Sequence, residues 1–156
     1  MWIELSNTWI IIANIAGIPM AHIVLSWGCT QLQATRFEKP LPVNPQKPHP
    51  IYEKIFLIRS WKHLLPDAAP WMNGFPKGSL ESTDPDYLRE FIIETRRGEL
   101  AHWLQWVLIS AFIIWNPYPA NLVILFYAAL ANLPCILNLR YTRLRLIRLL
   151  IACHPG

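Results

Sequence analysis

The run Glu94-Thr95-Arg96-Arg97-Gly98-Glu99-Leu100-Ala101-His102-Trp103 is the densest set of reactive side chains in the chain. On a helix turning about 100° per residue, with Glu94 as origin, Gly98 falls at about 40°, His102 at about 80° and Glu99 at about 140°. Gln105 and Trp106 fall on the same side. One face then carries two carboxylates, an imidazole and an amide. A carboxylate beside an imidazole orients the ring and favours its protonated form. These are the parts of a general base, His102, that draws a proton from a hydroxyl, with Glu99 or Glu94 orienting it. Gly98 leaves room for a substrate or a neighbouring backbone. The competing reading is a capped, salt-bridged helix entry, with Glu94 paired to Arg97 at i,i+3 and the arginines on lipid phosphates. Glu99-x-x-His102 is half of a di-iron motif, but the sequence has no second copy, so no metal site is expected.

Other candidates are weaker. His63 and Asp67 stand four apart and form a dyad if a helix continues through Pro66; otherwise Lys62 and His63 meet phosphates and Asp67 caps the next segment. Asn121, Asn132 and Arg143 recur every eleven residues, which keeps them on one side of a straight helix. Hydrogen bonding between helices is the plain role for the two asparagines. Ala13, Gly17 and Ala21 form a small-residue ridge for close helix packing, flanked by Asn14 and His22, and a packed polar residue is the expected role of His22.

The elements that must hold these groups are marked by where charge is missing. Of 156 residues, 15% are charged, against roughly 25% in an ordinary soluble domain. Hydrophobic residues make up 53%, with eight Trp and 14 Pro. The length suits one domain. Three Cys, at 29, 135 and 153, give neither a disulfide framework nor metal spacing. No Lys, Arg, Asp or Glu lies between Glu4 and Arg36, and residues 8–28 are long enough to span a bilayer of about 30 Å, bracketed by Trp9 and Trp27. A second charge-free run, Trp103 to Leu139, is interrupted by Asn116-Pro117-Tyr118-Pro119 and reads as a hairpin. The expected fold is an all-α integral membrane protein with about three transmembrane helices, 8–28, 97–115 and 120–139. The alternative is one span and a re-entrant hairpin. Pro134 should bend the last helix.

Residues 36–96 form the expected cytoplasmic segment between the first and second spans. Pro40, Pro42, Pro45, Pro48 and Pro50 make an extended strap. Ile51 to Leu65 suits an interfacial helix, residues 66–78 should be irregular, and Thr83-Asp84-Pro85-Asp86 starts a helix that runs through Arg97 into the second span. All 14 basic residues fall in the segment 36–97 or in the tail 140–156. Three spans put both on one side, which the positive-inside rule makes cytoplasmic, with the N-terminus outside the cell membrane. The first span lacks the basic lead of a cleaved signal peptide. Arginines directly after a membrane span point to anionic membrane lipids as partners, and nucleic acid is not expected. No P-loop, GxGxxG, GxSxG or CxxC spacing occurs, and no cofactor is expected.

The block from Ile92 to Trp103 resembles the signature of the glycosyl-diaponeurosporenoate acyltransferases. Tyr127-Ala128-x-x-Ala131-Asn132-x-Pro134 with Arg140-Tyr141-x-Arg143-x-Arg145 resembles a second block of that family, and Trp61-Lys62-His63 with Asp67 an upstream one. Leu139 and Thr142 stand where the family's Gln-Arg-Tyr-Asn-Arg has Gln and Asn. The resemblance, over roughly residues 59–146, implies esterification of a sugar hydroxyl on a glycosylated carotenoid acid, or a similar glycolipid, by a fatty acyl group from acyl-CoA or acyl carrier protein. This is the last step toward staphyloxanthin-type pigments. It implies functional weight at His63, Asp67, Glu94, Arg97, Glu99, His102, Asn132, Arg140 and Arg143. Catalytic roles then fall to His102, Glu99 and Glu94. Arg97, Arg140 and Arg143 would hold the donor's phosphate or the oxyanion. The other function classes are a non-catalytic membrane subunit that binds pigment or lipid, and another membrane-embedded lipid transferase such as a methyltransferase.

Overall fold

The computed structural model describes residues 2–42, 45, 47–65 and 74–153. Among these, the chain is helical and has no strand. Three long helices carry the structure: α1 (Asn7–Thr30), α4 (Pro85–Ser110) and α5 (Ala120–Cys153). Two one-turn helices, α2 (Ile51–Lys54) and α3 (Ile58–Trp61), lie between α1 and α4. α4 packs along α5, and α1 packs on α4.

α4 begins where the Asp-Pro signal expects it to. The Asp84 carboxylate accepts from the backbone N–H of Asp86 at 2.9 Å and of Tyr87 at 3.3 Å, and Pro85 takes the first helical position. The helix runs on through Arg97 and tightens into a 3-10 turn at Ala111–Ile114 before the proline turn. α5 does not end near Leu139. It continues through Pro134 and on to Cys153, so most of the basic tail is helix. Its inner half closes a core of Leu88, Phe91 and Ile92 from α4 with Leu146, Ile147 and Leu150. That burial extends the helix beyond its apolar stretch.

α1 and α5 are long and apolar enough to cross a membrane, and they point to membrane association. At about 1.5 Å per residue, the 24 residues of α1 rise about 36 Å. α1 is apolar without being buried: Trp9, Ile15, Ile23 and Trp27 are exposed, as are Val107 on α4 and Phe126 on α5. In α4 the apolar part starts at Leu100, behind five arginines and acids between Arg89 and Arg97. The charged first half of α4 thus sets it apart from α1 and α5, which are apolar over a full membrane-spanning length.

The small-residue ridge packs as its composition suggests. Ala21 is buried with Ile109, Phe112, Ile124 and Ala128, and a Cβ on Gly17 would stand 3.0 Å from the Phe112 ring. The space at Gly98 is filled by a side chain: a Cβ there would meet Leu139 Cδ1 at 3.2 Å.

The continuous interfacial helix expected over Ile51–Leu65 is broken into α2, α3 and a 3-10 turn at Lys62–Leu64. The break is Leu57, in the left-handed region at φ 46. Its cause is tertiary. Glu53 and Ile58, five apart, would lie about 140° apart on one helix. Both are instead held by the fold, Ile58 by burial and the more exposed Glu53 by its bond to α5. Ile58 is fully buried, the Glu53 carboxylate accepts from the Tyr141 hydroxyl of α5 at 2.7 Å, and Arg59 reaches both Glu53 at 2.8 Å and Tyr141 at 3.1 Å. The Tyr141 bond and the Arg59 charge hold the Glu53 carboxyl below its ordinary range. The described residues of the proline strap and residues 74–77 carry no regular structure.

Candidate active site

Along α4 stand four polar layers, and each has a different partner. Glu94 is 6% exposed and is held by the Arg97 guanidinium and by Lys77 Nζ at 3.5 Å. Arg97 also donates from Nη2 to the Leu32 carbonyl at 2.9 Å and lies over the Phe37 ring. It thus ties the chain just past α1 to α4. One layer deeper, Glu99 is gripped by two arginines of α5, Arg140 through Nε and Arg143 through Nη2 at 2.7 Å. Arg140 is the more exposed of the two and lies over the Trp103 ring. Neither carboxylate has a hydrogen bond to His102 among the described residues. Their shared function in the fold is to neutralise arginines.

His102 lies about 4.5 Å deeper than Glu99. Its Nδ1 is 3.0 Å from Asn132 Oδ1. Asn132 is fully buried, and its Nδ2 donates to the Ala128 carbonyl at 2.9 Å. A carbonyl can only accept, so that bond fixes which end of the amide is nitrogen. Oδ1 must then accept from His102, which places the hydrogen of the neutral ring on Nδ1 and the lone pair on Nε2. The group that orients the imidazole is an amide on α5.

A turn further in, Gln105 is 2% exposed and joins α4 to α1. Its Nε2 donates to the His22 carbonyl at 3.2 Å and to Ser26 Oγ at 2.8 Å, and His22 Nδ1 donates to Gln105 Oε1 at 3.1 Å. Tyr127 of α5 reaches His22 Nε2 at 3.3 Å. The sequence places Gln105 on the reactive face without a partner. A lone His in the charge-free α1 and a lone Gln in the charge-free part of α4 after Glu99 were the available sign that they pair.

Other sequence candidates stand apart from this stack. His63 is exposed in the short 3-10 turn and has no hydrogen-bond or ion-pair partner among the described residues. Asp67 lies outside the described residues, so the His63–Asp67 dyad is not described. Asn121 accepts from the Leu122 backbone N–H at 2.7 Å, at the start of α5, whereas Asn132 and Arg143 join the site. No group of three His, Cys, Asp or Glu among the described residues is placed to hold a metal ion.

A cleft of about 500 Å³ opens beside the Glu99 layer, between the chain after α1 and the helices α4 and α5. Glu99, Leu100, Trp103 and Arg143 line it together with Arg36, Lys39 and Arg96.

A model of the glycosyl-4,4'-diaponeurosporenoate acyltransferase family matches residues 33–152, which take in this whole stack of layers on α4 and α5. The chain belongs to that family. Among curated relatives, the glycosyl-4,4'-diaponeurosporenoate acyltransferases of Staphylococcus aureus strains USA300 and NCTC 8325 / PS 47 are each 36% identical over 110 residues, as is that of strain MRSA252. The alignments cover 69% of this chain and 65% of each relative. The chain thus spans just under two thirds of the length of the curated relatives it matches. No solved structure matches. In this member of the glycosyl-4,4'-diaponeurosporenoate acyltransferase family the match takes in Glu94, Glu99, His102, Asn132, Arg140 and Arg143, and it begins after α1. The His22 and Ser26 contacts of α1 therefore lie outside the matched region.

Proposed function

We propose that the chain is an integral membrane acyltransferase that esterifies a sugar hydroxyl of a glycosylated carotenoid acid, or a similar glycolipid, with a fatty acyl group. The family supports this reading. The observation that carries it is the buried Asn132 amide, which holds His102 through Nδ1 and so leaves the lone pair of the neutral ring on Nε2.

In the proposed step, His102 Nε2 takes the proton of the sugar hydroxyl as its oxygen attacks the carbonyl of a thioester donor, acyl-CoA or acyl carrier protein. The new C–O bond forms and the carbonyl becomes an oxyanion. As the oxyanion collapses, the C–S bond breaks, and the thiolate leaves and takes the proton back from His102. Arg140 spends its Nε on Glu99, so its terminal nitrogens remain to face the oxyanion. Glu99 and Glu94 act by holding the arginines in place, and Asn132 is a positioning residue. In this reading, α1, the apolar part of α4 and α5 are three spans. Segment 36–97 and the tail are cytoplasmic, the N-terminus is outside, and surface arginines meet anionic lipids.

The test is expression of the chain in cells that make a glycosylated carotenoid acid, with mass analysis of the extracted lipids. A new ester heavier than the glycoside by one fatty acyl group is the expected product. An unchanged glycoside in cells with the protein in the membrane overturns the reading.

A further inference from the structure

The cleft beside Glu99 is charged out of balance. Arg36, Lys39, Arg96 and Arg143 line it against a single carboxylate, Glu99, which Arg140 and Arg143 already share. Arg36 and Lys39 have no carboxylate partner among the described residues, and both are exposed. Arg96 is half-buried, and among the described residues its side chain bonds to the Phe37 carbonyl at 2.6 Å. Burial and the Arg143 charge pull its pKa below the ordinary guanidinium value. Arg143 has a buried guanidinium nitrogen, Nη1, with no acceptor among the described residues. A concave surface that gathers cations against a single shared carboxylate is complementary to an anion with several oxygens. Leu100 and Trp103 continue the wall one and two turns deeper than Arg96, and Phe37 faces them. A second cleft of about 550 Å³ shares Lys39 and Arg96 and adds Leu41, Ile92 and Ile93.

We propose that this cleft is a phosphate subsite for an amphiphile, with Arg36, Lys39 and Arg96 on the phosphate and Phe37, Leu100 and Trp103 guiding the hydrocarbon chain toward the membrane. Two sources share that chemistry: the phosphates of an acyl carrier such as coenzyme A, and the headgroup of an anionic phospholipid. The donor assignment rests on the acyl-transfer reading; the phosphate subsite itself does not. It moves the phosphate from Arg97, Arg140 and Arg143, which the fold uses to bind carboxylates, to three cations the fold leaves uncompensated.

The test uses the full chain in phosphatidylcholine nanodiscs. Binding of palmitoyl-coenzyme A is measured by calorimetry, without acceptor, for the wild type, for Arg36→Gln/Lys39→Gln and for Arg96→Gln, with Arg148→Gln as control. In a second arm, discs carry phosphatidylglycerol, and its retention on the re-purified protein is read by lipid mass analysis. If the donor is the source, palmitoyl-coenzyme A affinity falls at least about tenfold in the double variant and in Arg96→Gln, and holds in the control. If the headgroup is the source, phosphatidylglycerol retention falls in the same variants while palmitoyl-coenzyme A binding holds. Either result supports the subsite and names its occupant. Unchanged binding in both arms overturns it. Arg36 and Lys39 are exposed, and their side chains have no hydrogen-bond or ion-pair partner among the described residues, so the double variant keeps the test valid if Arg96→Gln fails to fold. Palmitoyl-coenzyme A binding without ester formation counts against the acyl-transfer reading alone, and ester formation with unchanged binding in both arms counts against the subsite alone.

Discussion

At the turn end of the α4–α5 hairpin, Asn14 and Asn116 exchange amide hydrogen bonds at 2.7 and 3.0 Å. Asn116 also donates to the Phe112 carbonyl at 2.8 Å, and Trp115 donates to Asn14 at 3.2 Å. Every group in that cluster is neutral. At the other end, carboxylates, arginines and an imidazole share the same kind of helix contact. There the buried nitrogens Arg97 Nε and Arg143 Nη1 and the oxygen Asn138 Oδ1 have no hydrogen-bond partner among the described residues. The clusters differ in closure. A buried polar group left unmet costs about 1–3 kcal/mol, so a structure that only needed to hold helices together would favour the first arrangement. The second keeps donors and charge in reserve, as a site does.

Mutations at the two ends should therefore fail differently. The largest loss of stability is expected at the charged end. Glu99→Ala leaves Arg143 buried without its carboxylate and Arg140 half-buried, and should cost about 3 kcal/mol, near the low end for breaking a buried pair because Arg140 reaches solvent. Thermal unfolding in detergent reads it. Asn116→Ala removes the neutral clamp and should cost about 1–3 kcal/mol, while the activity of the folded fraction is retained. If Asn116→Ala silences folded protein, the distinction between the ends is broken. Asn132→Leu should lower acyl transfer at least about tenfold, because the ring loses its tautomer and orientation. Nitrogen-15 chemical shifts of His102 should move toward a mixed tautomer in that variant, which loss of packing alone does not produce.

Two glycines sharpen the same contrast. Gly17→Ala presses a Cβ to 3.0 Å from the Phe112 ring, and the strain should outweigh the helix-propensity gain of about 1 kcal/mol. Gly98→Ala meets a flexible leucine methyl at 3.2 Å, so its net effect should be close to zero in stability and in activity. Inactive but stable Gly98→Ala would show that the space serves a substrate. The smallest effect concerns α2 and α3. Glu53 has a carboxyl pKa lowered in the fold, so its contribution is present above the ordinary carboxylate range and lost as pH falls through the folded value. Hydrogen exchange in residues 51–64 should quicken under acid conditions, and Glu53→Gln should remove that dependence.

Elements were legible where one local signal governs them. The charge-free run marks α1, and the Asp84-Pro85 pair marks the start of α4. α5 outran its apolar stretch because its last turns are held by the α4 core, which periodicity in α5 alone does not reveal. The break at Leu57 has the same origin in Tyr141, more than eighty residues away. In the site, helical spacing placed Glu94, Glu99, Gln105 and His102 toward a neighbour but could not say which neighbour met which. The carboxylates met arginines and the imidazole met Asn132, because the partner across an interface depends on the register of two helices. No local spacing joins Arg36 and Lys39 to Arg96; the fold brings them around one cleft.

The most direct test of the central claim is the rate of ester formation by the full chain in lipid vesicles supplied with a fatty acyl-coenzyme A and a glycosylated carotenoid acid, wild type against His102→Ala. A positioned general base contributes on the order of 10²–10⁴-fold, so the account predicts a fall of at least about 100-fold in folded protein of unchanged helicity, beyond the loss of stability from leaving Asn132 Oδ1 unmet. A His102→Ala protein that forms the ester at the wild-type rate would contradict it.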